Sequence, residues 1–271
     1  GDYLMLGING GRIGTSNNSS ATSASGVWNH LEQIKAVRDN KWISANVIAD
    51  GLVLYLDASN TSSYPGSGTI WYDLSGNGNN ATLYNGVGYN SSNGGSLVFD
   101  GINDYANIPY ASVFNMQAYT LSVWVKFFSF NAYNCLIVNP QNGSITQNWS
   151  NPYLSWMLRV NNGNTIEVSN GSLSYNSNTY SYGFSTNTIY NIVATYNTTT
   201  SAILFYINGT LVSSQSLSGV TINYTGKPVV IATDYGNGFS NCSMYNINVY
   251  NRALTSSEVL QNFAVSKSRF G

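Results

Sequence analysis

Short apolar runs that stop abruptly at Asp, Asn or Gly recur along this chain, and few folds accept such a pattern. Residues 51–60 read GLVLYLDASN, 71–82 WYDLSGNGNNAT, 97–105 LVFDGINDY and 249–258 VYNRALTSSE. In each block a strand-length apolar stretch ends on residues that tolerate positive φ and bond to their own backbone, so each reads as a strand followed by a tight turn. In YTLSVWVKFF, 119–128, Leu121, Val123, Val125 and Phe127 share one face and Ser122, Trp124, Lys126 and Phe128 the other, which is the period of a strand with one face in a core. Further strands are expected at 154–160, 165–169, 190–196, 228–233 and 243–250. Because no long helical period separates them, the pattern favours two packed antiparallel sheets over any α/β arrangement.

The clearest pairing signal is AILFYINGTLVSS, 202–214, where Asn208-Gly209 sits between two apolar runs and supplies the positive φ of a two-residue hairpin. The two ends of the chain follow another rule. Residues 1–26 hold a Gly-rich opening and a Ser/Thr/Asn tract with little to bury, and read as an extended arm. In the following segment Asn29 with Glu32 fits a capping box, and Leu31, Ile34 and Val37 recur at helical spacing, so a short helix is expected there. It either packs on the sandwich or docks onto another subunit. Near the other end Thr255 with Glu258 forms a second capping box, and Val259, Leu260 and Phe263 give a closing helix that ends near Val265. The tail SKSRFG is expected to lie along the surface. The expected division is an arm and anchor at 1–48 and an all-β sandwich at 49–271.

Charged residues are only 8% of the chain against about 25% in ordinary soluble proteins. Contact with water therefore falls to Asn, Ser, Thr and the 21 tyrosines, and stability should respond little to salt. A formal net charge of -1 offers no basic face for nucleic acid and no polybasic patch for a membrane surface. The longest apolar runs, such as LVLYL and SVWVKFF, are strand-sized and fall well short of the ~20 residues of a membrane span. The sequence begins at Gly1 without an initiator Met or a secretory apolar segment, so an upstream piece is expected to have been removed or to lie outside it.

Cys135 and Cys242 are either bridged or two separate buried thiols, and a bridge would close a long loop worth on the order of 4 kcal/mol. With His30 the only histidine and no paired Cys motif, zinc is excluded. No cofactor is required. Calcium is the one ion the residues allow, through Asp57, Asp73, Asp100, Asp104 and Asp234 at strand ends, although Asp and Asn are also the ordinary residues of turns. Glycoside hydrolysis would need two neighbouring carboxylates, and the only glutamates are Glu32, Glu167 and Glu258, two of them in capping boxes. The expectation is a non-enzymatic chain.

The blocks quoted above, taken in order with the hairpin YINGTLV and the closing VYNRALTSSEVLQNF, resemble the laminin-G/concanavalin-A-like domains of pentraxin type. That resemblance implies a two-sheet antiparallel jelly roll whose ligands, where known, sit on rim loops or on the concave sheet. Residues 23–42, with the C-terminal KSRFG, also resemble sequences that flank such domains in tailed-phage structural proteins. The function implied is a virion surface protein, such as a capsid decoration, head fibre or tail-fibre subunit, attached to other virion subunits through residues 1–48 and located on the particle or extracellularly. A secreted or cell-surface microbial adhesin is the alternative, with a glycoside hydrolase behind it. Host-surface glycans are the expected ligands, and self-association is left open. Two loops combine aromatic rings with amides as sugar binding requires. They contribute Trp149 and Tyr153 in 141–156, and Asp234, Tyr235 and Asn237 in 233–241.

Overall fold

The computed structural model describes residues 46–141, 154–171, 175–217, 221–234 and 238–270. Among them are sixteen strands and one α-helix, arranged as two eight-stranded antiparallel sheets packed face to face. Sheet I runs in the order β14 (Thr210–Ser216), β13 (Ala202–Ile207), β12 (Ile189–Asn197), β7 (Tyr119–Phe127), β16 (Asn241–Tyr250), β5 (Ser96–Asp100) and β4 (Gly88–Asn90). The long β16 pairs through Asn241–Met244 with β5 and through Asn246–Tyr250 with β1 (Leu52–Asp57). Sheet II runs β11 (Tyr175–Ser181), β10 (Thr165–Gly171), β9 (Leu154–Asn161), β8 (Tyr133–Pro140), β15 (Val229–Ile231), β6 (Tyr105–Ile108), β3 (Ala81–Tyr84) and β2 (Ile70–Trp71). This is the all-β jelly-roll sandwich that the strand-and-turn blocks call for.

Alternation decides what fills the space between the sheets. Leu121, Val123, Val125 and Phe127 of β7 enter the core with Ile192, Ala194 and Tyr196 of β12, and Trp156, Leu158 and Val160 of β9 meet them from the opposite sheet. The core is strongly aromatic. Phe114, Trp156, Tyr119 and Tyr196 form a chain of ring contacts at 6.3, 6.3 and 5.6 Å. Its polar tips are satisfied inside: Trp156 Nε1 donates to the Phe114 carbonyl at 3.1 Å and the Tyr119 hydroxyl to Asn170 Oδ1 at 2.5 Å. Many tyrosines in this chain are therefore core residues with an internal partner, not water-facing ones.

Asn208 (φ 50°) and Gly209 (φ 76°) form the expected hairpin turn between β13 and β14. The helix α1 (Ser256–Lys267) starts at the Thr255/Glu258 capping box, with both reciprocal bonds present. It lies on the outer face of sheet I, where Val259 and Leu254 cluster with Val193, Tyr206 and Tyr250 and the Phe263 ring stacks on Trp124 at 5.4 Å. The tail beyond it is pinned more firmly than its polarity suggests. Phe270 also stacks on Trp124, at 4.5 Å, and Arg269 bonds to Asp57 Oδ1 (2.7 Å) and to the carbonyls of Asn93 and Gly95. Residues 46–48, the end of the expected arm, run along the same helix through Gln261 to the Asn46 carbonyl and the Ile48 amide to Asn262 Oδ1. The rest of that arm, with its expected helix, lies outside the described residues.

The two cysteines are free thiols, both buried. Cys242 belongs to the core between the sheets, whereas Cys135 sits in a second apolar cluster with Val138, Leu154, Met157 and Val230 on the outer face of sheet II. The backbone of sheet II separates the two side chains, so the bridge considered from sequence does not form.

Candidate functional site

A hairpin places the only two charged side chains of the sheet II strands opposite each other. Asn162 (φ 50°) and Gly163 (φ 71°) turn β9 into β10, and the resulting register pairs Arg159 with Glu167 on the outer face. Arg159 Nε and Nη2 reach Glu167 Oε2 at 3.0 and 2.9 Å, and Nη1 reaches Asp234 Oδ2 at 3.0 Å. All three are buried, at 8%, 3% and 0% relative exposure. Glu167 also accepts from Asn161 Nδ2 and Ser169 Oγ. The guanidinium is capped by the Tyr133 ring 4.3 Å above it, a cation–π contact that a desolvated Arg strengthens. The Cys135 thiol beside this cluster is pushed well up, first by burial and then by the Asp234 charge.

From Tyr133 an aromatic row continues along the same end of the sheet. The strand ends gathered there are those of β3, β6, β8, β9 and β10, together with the turn after β15, where Thr233 bridges to Phe239. Tyr84 of β3 pairs directly with Tyr105 of β6, and their rings stack 4.7 Å apart at 7°. Tyr105 in turn meets Phe239 at 6.5 Å. Burial raises the Tyr105 hydroxyl above its ordinary range, with Tyr84 adding to it. Tyr84 and Tyr133 keep 40% and 37% of their surface in water. At about 4.8 Å per strand, the row from Tyr84 on β3 to Arg159 on β9 spans about 19 Å. Among the described residues, α1, Phe270 and residues 46–48 cover the outer face of sheet I at β7, β12, β13 and β16.

Of the residues expected from sequence to contact ligand, Asp234 lies in this cluster, but with its side chain wholly buried against Arg159 it supports the surface and does not form it. Trp149, Tyr153, Tyr235 and Asn237 lie outside the described residues. Arg159, Tyr84, Tyr105, Tyr133 and Phe239 were not singled out, and Glu167 was weighed only as a carboxylate for glycoside hydrolysis. The Asn162-Gly163-Asn164 turn carried part of the missing signal: a three-residue loop centred on Gly163 brings residue 159 opposite 167, whereas a two-residue reading of Asn162-Gly163 would set it opposite 166.

Of the aspartates considered for calcium only Asp100 and Asp104 share a turn, where the Asp100 amide donates to Asp104 Oδ2 at 3.1 Å. Asp73 accepts from the amides of Tyr55, Ser75 and Asn79, Asp100 from those of Ile102, Asn103 and Asp104, and Asp57 from Ser59 and Arg269. Most of these are bonds within a turn, while Tyr55 to Asp73 and Arg269 to Asp57 are long-range contacts. A calcium ion needs about six to eight oxygens, and among the described residues no group of three or more acidic, His or Cys side chains is placed to hold a metal.

The laminin-G family model described as the concanavalin A-like lectin/glucanases superfamily matches residues 99–260, more than half of the chain. The chain belongs to this superfamily. No curated protein matches it in sequence. Solved structures similar to this lectin-fold chain include the binding domain of botulinum neurotoxin DC in complex with SialylT, at TM-score 0.60 and 15% identity over 80% of this chain and 52% of that one. The botulinum neurotoxin type G receptor binding domain gives 0.58 and 18% over 80% and 51%, and the Trypanosoma rangeli sialidase 0.58 and 20% over 82% and 33%. This lectin-fold chain thus spans about half of the toxin domains and a third of the sialidase, and at these identities the likeness is one of fold.

Proposed function

We propose that the chain is a non-enzymatic display module that contacts glycans through the aromatic row Tyr84, Tyr105, Phe239 and Tyr133 at the end of sheet II. The observation that carries this reading is the row itself. Sugar rings present apolar faces to such platforms and hydroxyls to the amides around them. Glu167 and Asp234 are the only acids of this cluster, and Arg159 ties both together, so they serve as fixed acceptors and not as an acid and a nucleophile. The fold, shared with toxin domains recorded with SialylT and with synaptotagmin, is compatible with glycan or protein contact.

The setting proposed is a virion surface, with residues 1–48 as the attachment and many weak contacts adding through effective concentration. Its support is the sequence likeness of residues 23–42 and KSRFG to the flanks of such domains in tailed-phage proteins, together with the charge-poor composition. The test is a printed glycan array probed with the wild-type chain and with Tyr84→Ala. Loss of the Tyr105 stack should lower the melting temperature by only a few degrees, and the substitution should remove most of the signal. Binding that survives intact in Tyr84→Ala would overturn the reading.

A further inference from the structure

Arg269 and Phe270, the two side chains that pin the tail to the outer face of sheet I, occupy a slot that the rest of the fold builds. Each nitrogen of the Arg269 guanidinium has its own acceptor: Nη1 reaches Asp57 Oδ1 at 2.7 Å, Nη2 the Gly95 carbonyl at 2.8 Å and Nε the Asn93 carbonyl at 3.1 Å. These acceptors are set without the tail. The amide and hydroxyl of Ser59 donate to the same Asp57 oxygen at 2.9 and 2.7 Å, and the Gly95 amide closes the turn between β4 and β5 onto the Ser92 carbonyl. A Cβ at Gly95 would lie 2.4 Å from the Ala58 carbonyl oxygen, so glycine lets this turn press against the end of β1 and complete the set. Phe270 meets Trp124 in a stack at 4.5 Å and Tyr245 edge-on at 5.0 Å. The floor between these two anchor points is polar. A bulge in β16 after Met244 turns both Tyr245 and Asn246 outward, and the register sets Asn246 between Asp57 of β1 and Trp124 of β7. Asn246 is 1% exposed, and among the described residues its Oδ1 has no hydrogen-bond partner; the same holds for Ser243 Oγ and Asn248 Oδ1 on that face of β16. The tail thus covers an acceptor it does not satisfy, which sets a desolvation cost against the contacts it makes. Its helix has separate anchors in the Thr255/Glu258 cap and the cluster around Val259, so the tail can leave while α1 stays.

From this geometry we infer that the outer face of sheet I carries a peptide-recognition slot for an Arg followed by an aromatic residue, which the chain's own tail fills as a strap and which such a segment of another chain opens by taking the tail's place. The inference is independent of the glycan reading. A Lys brings one point charge and cannot meet three separate acceptors as the guanidinium fork does, so the slot selects Arg. The aromatic position is set by the Trp124 face, on which a ring gains more than an aliphatic side chain. Because the strap is tethered beside its own slot, it competes at high effective concentration, and the closed form prevails until a rival segment is abundant or presented in many copies.

The experiment uses the full chain carrying Arg269→Ala with Phe270→Ala, which leaves the slot open, and the peptide acetyl-Ser-Arg-Phe-amide, with binding read by calorimetry and by amide chemical shifts. The peptide should bind this variant at least about tenfold more tightly than the wild type, whose strap competes. Exchanging the peptide's Arg for Lys, or its Phe for Ala, should weaken binding roughly fivefold or more. Equal binding to wild type and variant, no saturation of the variant by about 5 mM peptide, or indifference to the Lys exchange overturns the inference. Where the double substitution prevents folding, Arg269→Lys keeps the charge and the ring stack, and its weakened strap should yield to the Arg peptide severalfold more readily than the wild-type strap. An affinity unchanged from wild type in that variant overturns the inference equally.

Discussion

Replacing Arg159 by Leu tests the charge cluster under the aromatic row. Arg159 makes three charge-assisted contacts of 2.9–3.0 Å to two carboxylates that are 3% and 0% exposed. Removing one partner of a buried ion pair costs about 3–5 kcal/mol, because the charge left behind has neither water nor a counterion. Here two are left, although Asn161 and Ser169 continue to donate to Glu167, so about 4 kcal/mol is the expected loss. For a domain of this size that lowers the melting temperature by roughly 10 °C. The pH dependence gives the loss a signature. Without Arg159 the two carboxyls hold their protons more tightly folded than unfolded, so the penalty is present at neutral pH and fades as pH falls through those raised values towards about 4. Urea titrations of wild type and Arg159→Leu at pH 7 and pH 4 should therefore converge on acidification. Adding Glu167→Gln and Asp234→Asn should recover most of the loss at pH 7. A loss below about 1 kcal/mol, or one that does not shrink at low pH, would refute the reasoning.

Other outcomes follow from the same contacts. Gly209→Ala imposes positive φ on a residue with a Cβ and sets that carbon 2.7 Å from the Phe263 ring, so it should cost about 2 kcal/mol in denaturant titration, partly relieved by Phe263→Ala. Hydrogen bonding to Arg252 holds the Glu258 carboxyl down at about 2, so its contribution is complete above its ordinary value near 4.5 and is lost as pH falls through about 2. Melting curves of Glu258→Gln should accordingly lack the wild-type decline in that acid window. Burial raises both thiols, and Cys135 and Cys242 should stay unmodified by a thiol reagent until the domain unfolds; rapid labelling of the native protein would show that they are accessible.

Much of the architecture could be read from local chemistry. The face of β7 that enters the core, the Asn208-Gly209 turn and the Thr255/Glu258 cap each depend on neighbours close in sequence, and each is where its pattern places it. The site was harder to see because its parts meet only through sheet order. Tyr84 meets Tyr105 because β3 pairs with β6, and Asp234 meets Arg159 because β15 and its following turn lie beside β8, across which Arg159 reaches from β9. Neither pairing leaves a trace in spacing. Tyrosine content also hid the site, since Tyr196 and Tyr206 are core while Tyr84 and Tyr133 are exposed, and composition does not separate them. The C-terminal tail was read only as a polar segment along the surface because the partners of Arg269 and Phe270, at Asp57, Gly95 and Trp124, lie more than a hundred residues away.

The buried charge cluster is not explained by stability. Exchanging such a triad for apolar residues of matching volume is often neutral or stabilising, so in a chain with so few charges three of them in one place must serve some other purpose. Their geometry indicates which. The guanidinium fixes the ring of Tyr133 from below, and its two carboxylates tie the β9–β10 hairpin to the turn after β15, the turn that carries Phe239. The Tyr133 and Phe239 end of the aromatic row is thereby referred to a single rigid ion group, while the other end is held by the Tyr84–Tyr105 stack. A platform whose rings are fixed before a sugar arrives loses little side-chain freedom on contact, which matters most when each contact is weak and binding depends on many copies acting together.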